Sequence, residues 1–115
     1  CESELKGKLL HMRSYFETNC NRPKRISKMM LSTFPGFVAV FKGVAHLMGE
    51  TPEKDSRKLI EQLAKRIDFN PQVFMDLILV REGNAFLPRK AEAMSAFERY
   101  LTEIETITNF VDRIN

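Results

Sequence analysis

The fold is decided by residues 23–48, PKRISKMMLSTFPGFVAVFKGVAHLM. Apolar side chains recur in this stretch every three or four residues, a spacing that places them on one face of an α-helix. The stripe comprises Ile26, Met30, Phe34, Phe37, Phe41, Val44 and Met48, with Leu31, Val38 and Ala45 beside it. Because most of the circumference is apolar, the stretch predicts a helix at the centre of a bundle.

Pro35 and Gly36 interrupt this stripe. Proline lacks a backbone donor and its ring collides with the carbonyl of Leu31, while glycine adds backbone freedom. The pair therefore predicts a kink, or a break into two helices near residue 34. A bend that fits the bundle is the simpler interpretation, and a hinge or ligand notch is the alternative.

Two amphipathic segments border the central stretch. The preceding one carries its stripe on Leu5, Leu9, Met12 and Phe16. This first helix should end near Cys20, and Pro23 can open the next one. Gly49 and Pro52 mark a turn, after which Asp55 or Ser56 can cap a third helix. Its inner face is predicted to be Leu59, Ile60, Leu63, Ala64 and Ile67.

Two further helices complete the pattern. Asn70 and Pro71 indicate an N-cap and a first helical residue, and Gly83 a terminator. The fourth helix turns inward Val73, Phe74, Leu77 and Ile78. The loop that follows holds Phe86 and Leu87, which we expect to tuck against the bundle. The last helix repeats +4 and +3 spacings along Ala93, Phe97, Tyr100, Ile104, Ile107, Val111 and Ile114.

This last seam has two interpretations. Core packing within a bundle is one, and pairing with a second copy of the chain is the other. In the second case the interaction surface would be formed by Tyr100, Ile104, Ile107 and Val111. Either way the sequence predicts an all-α, up-and-down bundle of about five helices, in which residues 1–115 form one domain. Cys1 in place of an initiator Met indicates a portion of a longer protein, with a lipid-modified lipoprotein cysteine as the alternative.

Composition and charge narrow the class of protein. No apolar run reaches the roughly 18 to 20 residues that span a bilayer, so we expect a soluble, cytoplasmic protein without a membrane partner. The net charge is +3, yet residues 1–49 carry +5 and residues 50–115 carry −2. The basic excess peaks at Arg22, Lys24, Arg25 and Lys28. A solvated helix start explains this cluster better than nucleic-acid binding, because no exposed aromatic residues are interleaved with it.

Residues that carry chemistry are scarce. His11 and His46 lack metal-ligand partners at helical spacing, so the sequence predicts no catalytic residue, no metal and no cofactor in this chain. Gly7 inside the first helix costs about 1 kcal/mol against Ala, which suggests a close approach there. Around it Lys6, Lys8 and Arg13 are either surface charges or cations facing an anionic ligand across a cleft.

Three segments carry a resemblance to a known family: ELKGKLLHMR at 4–13, FPGFVAVFK at 34–42 and VREG at 80–83. Together they resemble the C-terminal helical domain of predicted bacterial nucleotidyltransferases of the polymerase-beta-like superfamily. The likeness extends over nearly the whole chain. Its motifs are short and helical.

The resemblance implies a specific partnership. In that family an N-terminal domain holds a Gly-Ser element and metal-binding carboxylates, and it transfers a nucleotidyl group with Mg²⁺ and a nucleoside triphosphate. The helical domain packs beside it and helps to form the acceptor-substrate pocket. This sequence has no such catalytic element, so the resemblance implies an accessory domain that is inactive alone. Lys6, Lys8 and Arg13 match positions that would face the cleft. A homodimerising interaction module and a weak nucleic-acid-binding protein are the alternative functions.

Overall fold

The computed structural model describes the backbone of residues 2–114 and the side chains of residues 4–114. Cys1, and with it the hypothesis on the start of the chain, lies outside the described residues. The described chain forms five helices: α1 (Glu2–Asn19), α2 (Pro23–Leu47), α3 (Ser56–Arg66), α4 (Gln72–Arg81) and α5 (Lys90–Ile114). Residues 2–114 contain no strand. The predicted all-α bundle of five helices is confirmed.

Helix α2 is the centre of the bundle and contacts each of the other four helices. It runs unbroken through Pro35, so of the two predicted alternatives, a kink or a break, the break into two helices is excluded. Phe34 and Phe37, on either side of the proline, are both completely buried. Burying two such side chains contributes about 3 to 6 kcal/mol, which offsets the roughly 3 kcal/mol that proline costs inside a helix.

Local signals determine the helix ends largely as predicted. The Asp55 carboxylate accepts the backbone N–H of Lys58 at 3.2 Å and caps α3. Gly49 and Gly83 both adopt a φ of 79°, the left-handed conformation that favours glycine after a helix. Asn70 Oδ1 accepts the N–H of Gln72 at 2.9 Å, although the N-cap position itself falls one residue later than predicted.

A single aromatic cluster joins α2, α4 and α5. The ring of Phe74 on α4 lies 5.6 Å from that of Phe41 and 5.9 Å from that of Tyr100, both edge to face. Phe34 and Phe69 pack on the same ring. Because the cluster draws on segments far apart in sequence, it couples the central helix to the C-terminal half of the chain.

The seam of α5 belongs to this core. Tyr100, Ile104, Ile107 and Val111 are all 0% exposed, so their prediction as an interaction surface is corrected. The +4, +3 spacing serves core packing because α5 contacts α1, α2 and α4, which together cover its apolar face. The inward stripe ends at Val111, since Ile114 is 45% exposed.

In the described part of the chain, α2 alone is long and apolar enough to cross a membrane by length and composition. Core helices of soluble proteins satisfy the same criteria, and the apolar stripe of α2 is buried against its neighbours. The fold therefore gives no indication of a protein with several membrane spans.

Candidate functional site

The three cations predicted to face a ligand do not form one site. Lys6 Nζ lies 3.7 Å from the Asp112 carboxylate, and Arg13 forms an ion pair with Glu105. Both partners are on α5, so these two cations connect α1 to α5. Lys8 faces α2 instead. Its ammonium therefore lies on a different face of α1 from Lys6 and Arg13.

Lys8 has a structural role of its own. Its Nζ lies 5.7 Å from the centroid of the Phe37 ring, a cation–π contact. A Cβ at Gly36 would come within 3.0 Å of that Nζ, so the glycine leaves the space that the lysine occupies. Gly36 in the FPGF segment thus permits a close contact between α1 and α2.

The expected close approach at Gly7 is wrong for the described part of the chain. A Cβ built there meets no heavy atom within 4 Å, and the residue is exposed. His46, which the sequence places among apolar neighbours on α2, is likewise exposed. Within residues 4–114 no group of three His, Cys, Asp or Glu side chains is arranged to hold a metal ion.

A groove of about 970 Å³ lies between α4, the segment 83–89 and the first turns of α5. Its apolar lining includes the buried side chains of Met30, Leu77 and Ala96. Leu79 and Phe86 add apolar surface that remains exposed, at 37% and 89%. The groove thus offers a binding surface that the bundle does not itself fill.

Phe86 corrects the sequence prediction for its loop. We expected it to tuck against the bundle, but it is the most exposed large apolar side chain described. Ser27 Oγ donates to the carbonyl of Pro88 at 2.6 Å and fastens the end of the loop to α2. Leu87 is half-buried while Phe86, its neighbour, points outward.

Charged side chains border the groove. Arg89, Lys90 and Arg99 supply three cations, against the carboxylates of Asp76 and Glu92. Asp76 accepts a hydrogen bond from the Gln72 side chain at 2.7 Å. An apolar floor with a net cationic rim suits a ligand that combines an apolar or aromatic part with negative charge.

The VREG segment next to the groove has a structural explanation. Gly83 ends α4, and the Glu82 carboxylate accepts two hydrogen bonds from the Arg57 guanidinium, at 2.9 and 3.3 Å. The hydrogen bond from Arg57 lowers the pKa of Glu82, and the same bond raises the pKa of Arg57. The pair connects the start of α3 to the end of α4.

Sequence reasoning missed this groove. Its residues come from α2, α4, the 83–89 segment and α5, and no single spacing connects them. The available signal was local: two large apolar residues, Phe86 and Leu87, inside an otherwise turn-forming segment. Comparisons with protein-family models, with curated proteins and with solved structures give no match to this chain.

Proposed function

We propose that this chain is the accessory, substrate-binding helical domain of a cytoplasmic nucleotidyltransferase-type protein and is not catalytic alone. The observation that carries the proposal is the groove beside α4 and α5, an unfilled concave surface with an apolar floor and cationic rim. The resemblance of residues 4–13, 34–42 and 80–83 supplies the class of partner, an N-terminal nucleotidyltransferase domain of the same protein.

The groove suits the acceptor substrate better than the nucleotide. Its aromatic and aliphatic surface contributes contact area, and Arg89, Lys90 and Arg99 orient a negatively charged part of the ligand. In this proposal the carboxylates of the partner domain would hold Mg²⁺, and the metal ion would in turn bind the triphosphate.

Lys6 and Arg13 have a supporting role in this proposal. Their ion pairs with Asp112 and Glu105 connect α1 to α5. The side chains of Lys6 and Arg13 are each about half exposed. They can therefore contribute to a domain boundary. Their charges are already partly neutralised, which makes them weak anion ligands.

The test begins with the complete open reading frame. The proposal requires a Gly-Ser element and paired carboxylates upstream of residue 1. The full-length protein is then assayed for transfer from labelled nucleoside triphosphates with Mg²⁺. Ser95→Trp fills the groove, because Ser95 lines it and is exposed. Thr102→Trp is the matched control, two turns later on the same face of α5 and also exposed.

The expected result is a raised KM for the acceptor in Ser95→Trp and unchanged kinetics in Thr102→Trp. An unrelated upstream sequence contradicts the proposal. So does full-length protein whose transfer activity is indifferent to Ser95→Trp.

A second candidate is a stand-alone module that homodimerises. It is favoured by two large exposed apolar side chains, Leu10 at 70% and Phe86 at 89%. The buried seam of α5 cannot serve this role in the folded chain. Sedimentation at rising protein concentration tests it, with Leu10→Ser and Phe86→Ser as variants. A monomer at every concentration contradicts a dimer.

A further inference from the structure

One end of the bundle concentrates cations without acidic partners. We define the basic end as Arg22, Lys24, Arg25, Lys28, Arg89 and Lys90, all of which are exposed. Within residues 4–114 none of the six forms an ion pair, whereas Arg13, Arg57 and Arg66 elsewhere each pair with a glutamate. The sequence contains no Asp or Glu from residue 18 to residue 49, or from 83 to 91.

Tertiary structure brings these cations together from two distant segments. The hydrogen bond from Ser27 Oγ to the Pro88 carbonyl places the first turns of α2 against the start of α5. Lys24 precedes Ser27 by one helical turn and Lys28 follows it directly, so both flank this contact. Arg89 and Lys90 follow Pro88 in the chain. We call Lys24, Lys28, Arg89 and Lys90, which lie within a few residues of this contact on the two segments, the cationic strip.

The strip borders the groove that contains Phe86. Arg89 and Lys90 belong to both features, since they line the groove and continue the strip. Phe86 lies two residues before Pro88 and is 89% exposed. The sequence argued against nucleic-acid binding because no exposed aromatic residue accompanies the basic cluster. In the structure Phe86 is such a residue, and it comes from a distant segment of the chain.

Such a surface matches the chemistry of single-stranded nucleic acid. Cations neutralise successive phosphates, and an exposed ring stacks on an unpaired base of any sequence. A duplex keeps its bases stacked on one another and offers only phosphates. An anionic membrane surface would attract the same cations, but it would also need several projecting apolar side chains to insert. Here most of the apolar surface lines a concave groove, and among the described residues beside it only Phe86 is mostly exposed. The surface therefore fits a single-stranded nucleic acid better than a membrane.

We propose that the basic end and Phe86 together bind single-stranded nucleic acid, with its phosphates along Lys24, Lys28, Arg89 and Lys90 and a base on the Phe86 ring. This inference deepens the proposed function, on which it rests for the biological role, by naming the class of acceptor that the groove receives. The binding itself is a property of the isolated 115-residue chain, whose five helices share one hydrophobic core.

The experiment measures fluorescence anisotropy of a labelled oligodeoxythymidine and a labelled oligouridine with the purified chain. We expect the association constant to fall as salt is added. If four cations each neutralise one phosphate, a plot of its logarithm against the logarithm of the salt concentration has a slope of about −3. An annealed duplex of the same length binds about tenfold more weakly, because it cannot stack on Phe86.

Two sets of variants separate the parts of the surface. Phe86→Ala weakens binding about tenfold and leaves the salt slope unchanged. Lys24→Glu with Lys28→Glu weakens binding by more than about tenfold and reduces the slope by about 1.4. The matched control is Lys54→Glu with Lys58→Glu, exposed residues at the same spacing near the start of α3. This control changes net charge equally and should change affinity less than about twofold.

Four outcomes overturn the inference. They are no binding at low salt, equal losses in the two lysine pairs, duplex binding as tight as single-strand binding, and preference for vesicles of phosphatidylserine and phosphatidylcholine over the oligonucleotides. Failure of this nucleic-acid inference can be distinguished from failure of the proposed function. Impaired transfer in Ser95→Trp without oligonucleotide binding removes the inference alone. Oligonucleotide binding by a protein with no nucleotidyltransferase partner removes the proposed function alone.

Discussion

The hydroxyl oxygens of Thr33 on α2 and Tyr100 on α5 lie 3.0 Å apart inside the bundle. Thr33 Oγ1 lies 2.9 Å from the carbonyl of Met29, which can only accept, so Thr33 donates there and Tyr100 donates to Thr33. Tyr100 is fully buried, and its next acceptor, the Met30 carbonyl, is 3.5 Å away. The pair provides a polar connection between α2 and α5, two residues before Pro35.

Loss of either hydroxyl should have unequal consequences. Tyr100→Phe removes one hydrogen bond and leaves Thr33 bonded to Met29, so it costs about 1 kcal/mol. Thr33→Val strands the buried phenol and costs about 2 to 3 kcal/mol. Urea unfolding of the two variants and of the double variant measures both values and their coupling. Equal costs would contradict the donor assignment.

Tyr100 also predicts alkaline sensitivity. Burial raises the pKa of Tyr100 above its ordinary value of 10.0, and the hydrogen bond that Thr33 can donate to the ionised phenolate offsets only part of this rise. Above pH of about 10 the unfolded chain loses this proton while the folded chain keeps it. The free energy of unfolding therefore falls by about 1.4 kcal/mol per pH unit from this group. Urea unfolding of the original chain and of Tyr100→Phe at pH values from about 9 to 11 isolates the effect, since the variant lacks the titrating hydroxyl.

Gly7 should be a site where stability can be gained. It lies inside α1 with no heavy atom within 4 Å of a built Cβ, so Gly7→Ala should stabilise the chain by about 0.5 to 1 kcal/mol. Thermal and urea unfolding measure this change. Destabilisation would mean that the position needs glycine after all.

Gly36→Ala is the matched control for that substitution. It gains similar helix propensity, but the new methyl group displaces the Lys8 ammonium from the Phe37 ring. The lost cation–π contact is worth about 0.5 to 1 kcal/mol, so we expect little net change in stability. A stabilisation equal to that of Gly7→Ala would show that the Lys8 contact contributes nothing.

Substitutions in the buried seam of α5 and in the exposed loop 83–89 should differ sharply in their effect on stability. Ile104→Asp places a charge at a fully buried position and should abolish cooperative unfolding of the monomer. Phe86→Ser should change stability by less than about 0.5 kcal/mol, because Phe86 is almost wholly exposed. Circular dichroism during heating distinguishes the two. A folded Ile104→Asp monomer would restore the seam as an interaction surface.

Much of the fold was predictable because its signals are local. The α3 N-cap at Asp55, the helix terminator at Gly83 and the apolar stripe of α5 each depend on residues within a few turns of one another. Local rules at Pro35 predicted a kink or a break and could not choose between them; the continuous α2 excludes the break. The burial of Phe34 and Phe37, which keeps α2 continuous, comes from contacts with other helices.

The site was much less predictable. Lys6, Lys8 and Arg13 are close in sequence and were grouped on that basis, yet helical geometry and partners on two different helices separate them. The residues of the groove were not grouped at all. Charge partners also escaped prediction, since Arg13 and Glu105 lie 92 residues apart.

The sequence by itself determined that this protein is a helical bundle, approximately where its helices begin and end, and which helix faces are apolar, because helical periodicity and capping act over a few residues. Tertiary structure alone decided that Phe86 projects into solvent, that the α5 seam is core, and that cations from residues 22–28 and 89–90 meet at one end. Those outcomes depend on how helices pack across the whole chain, where the free energy of burial, summed over distant segments, selects one arrangement.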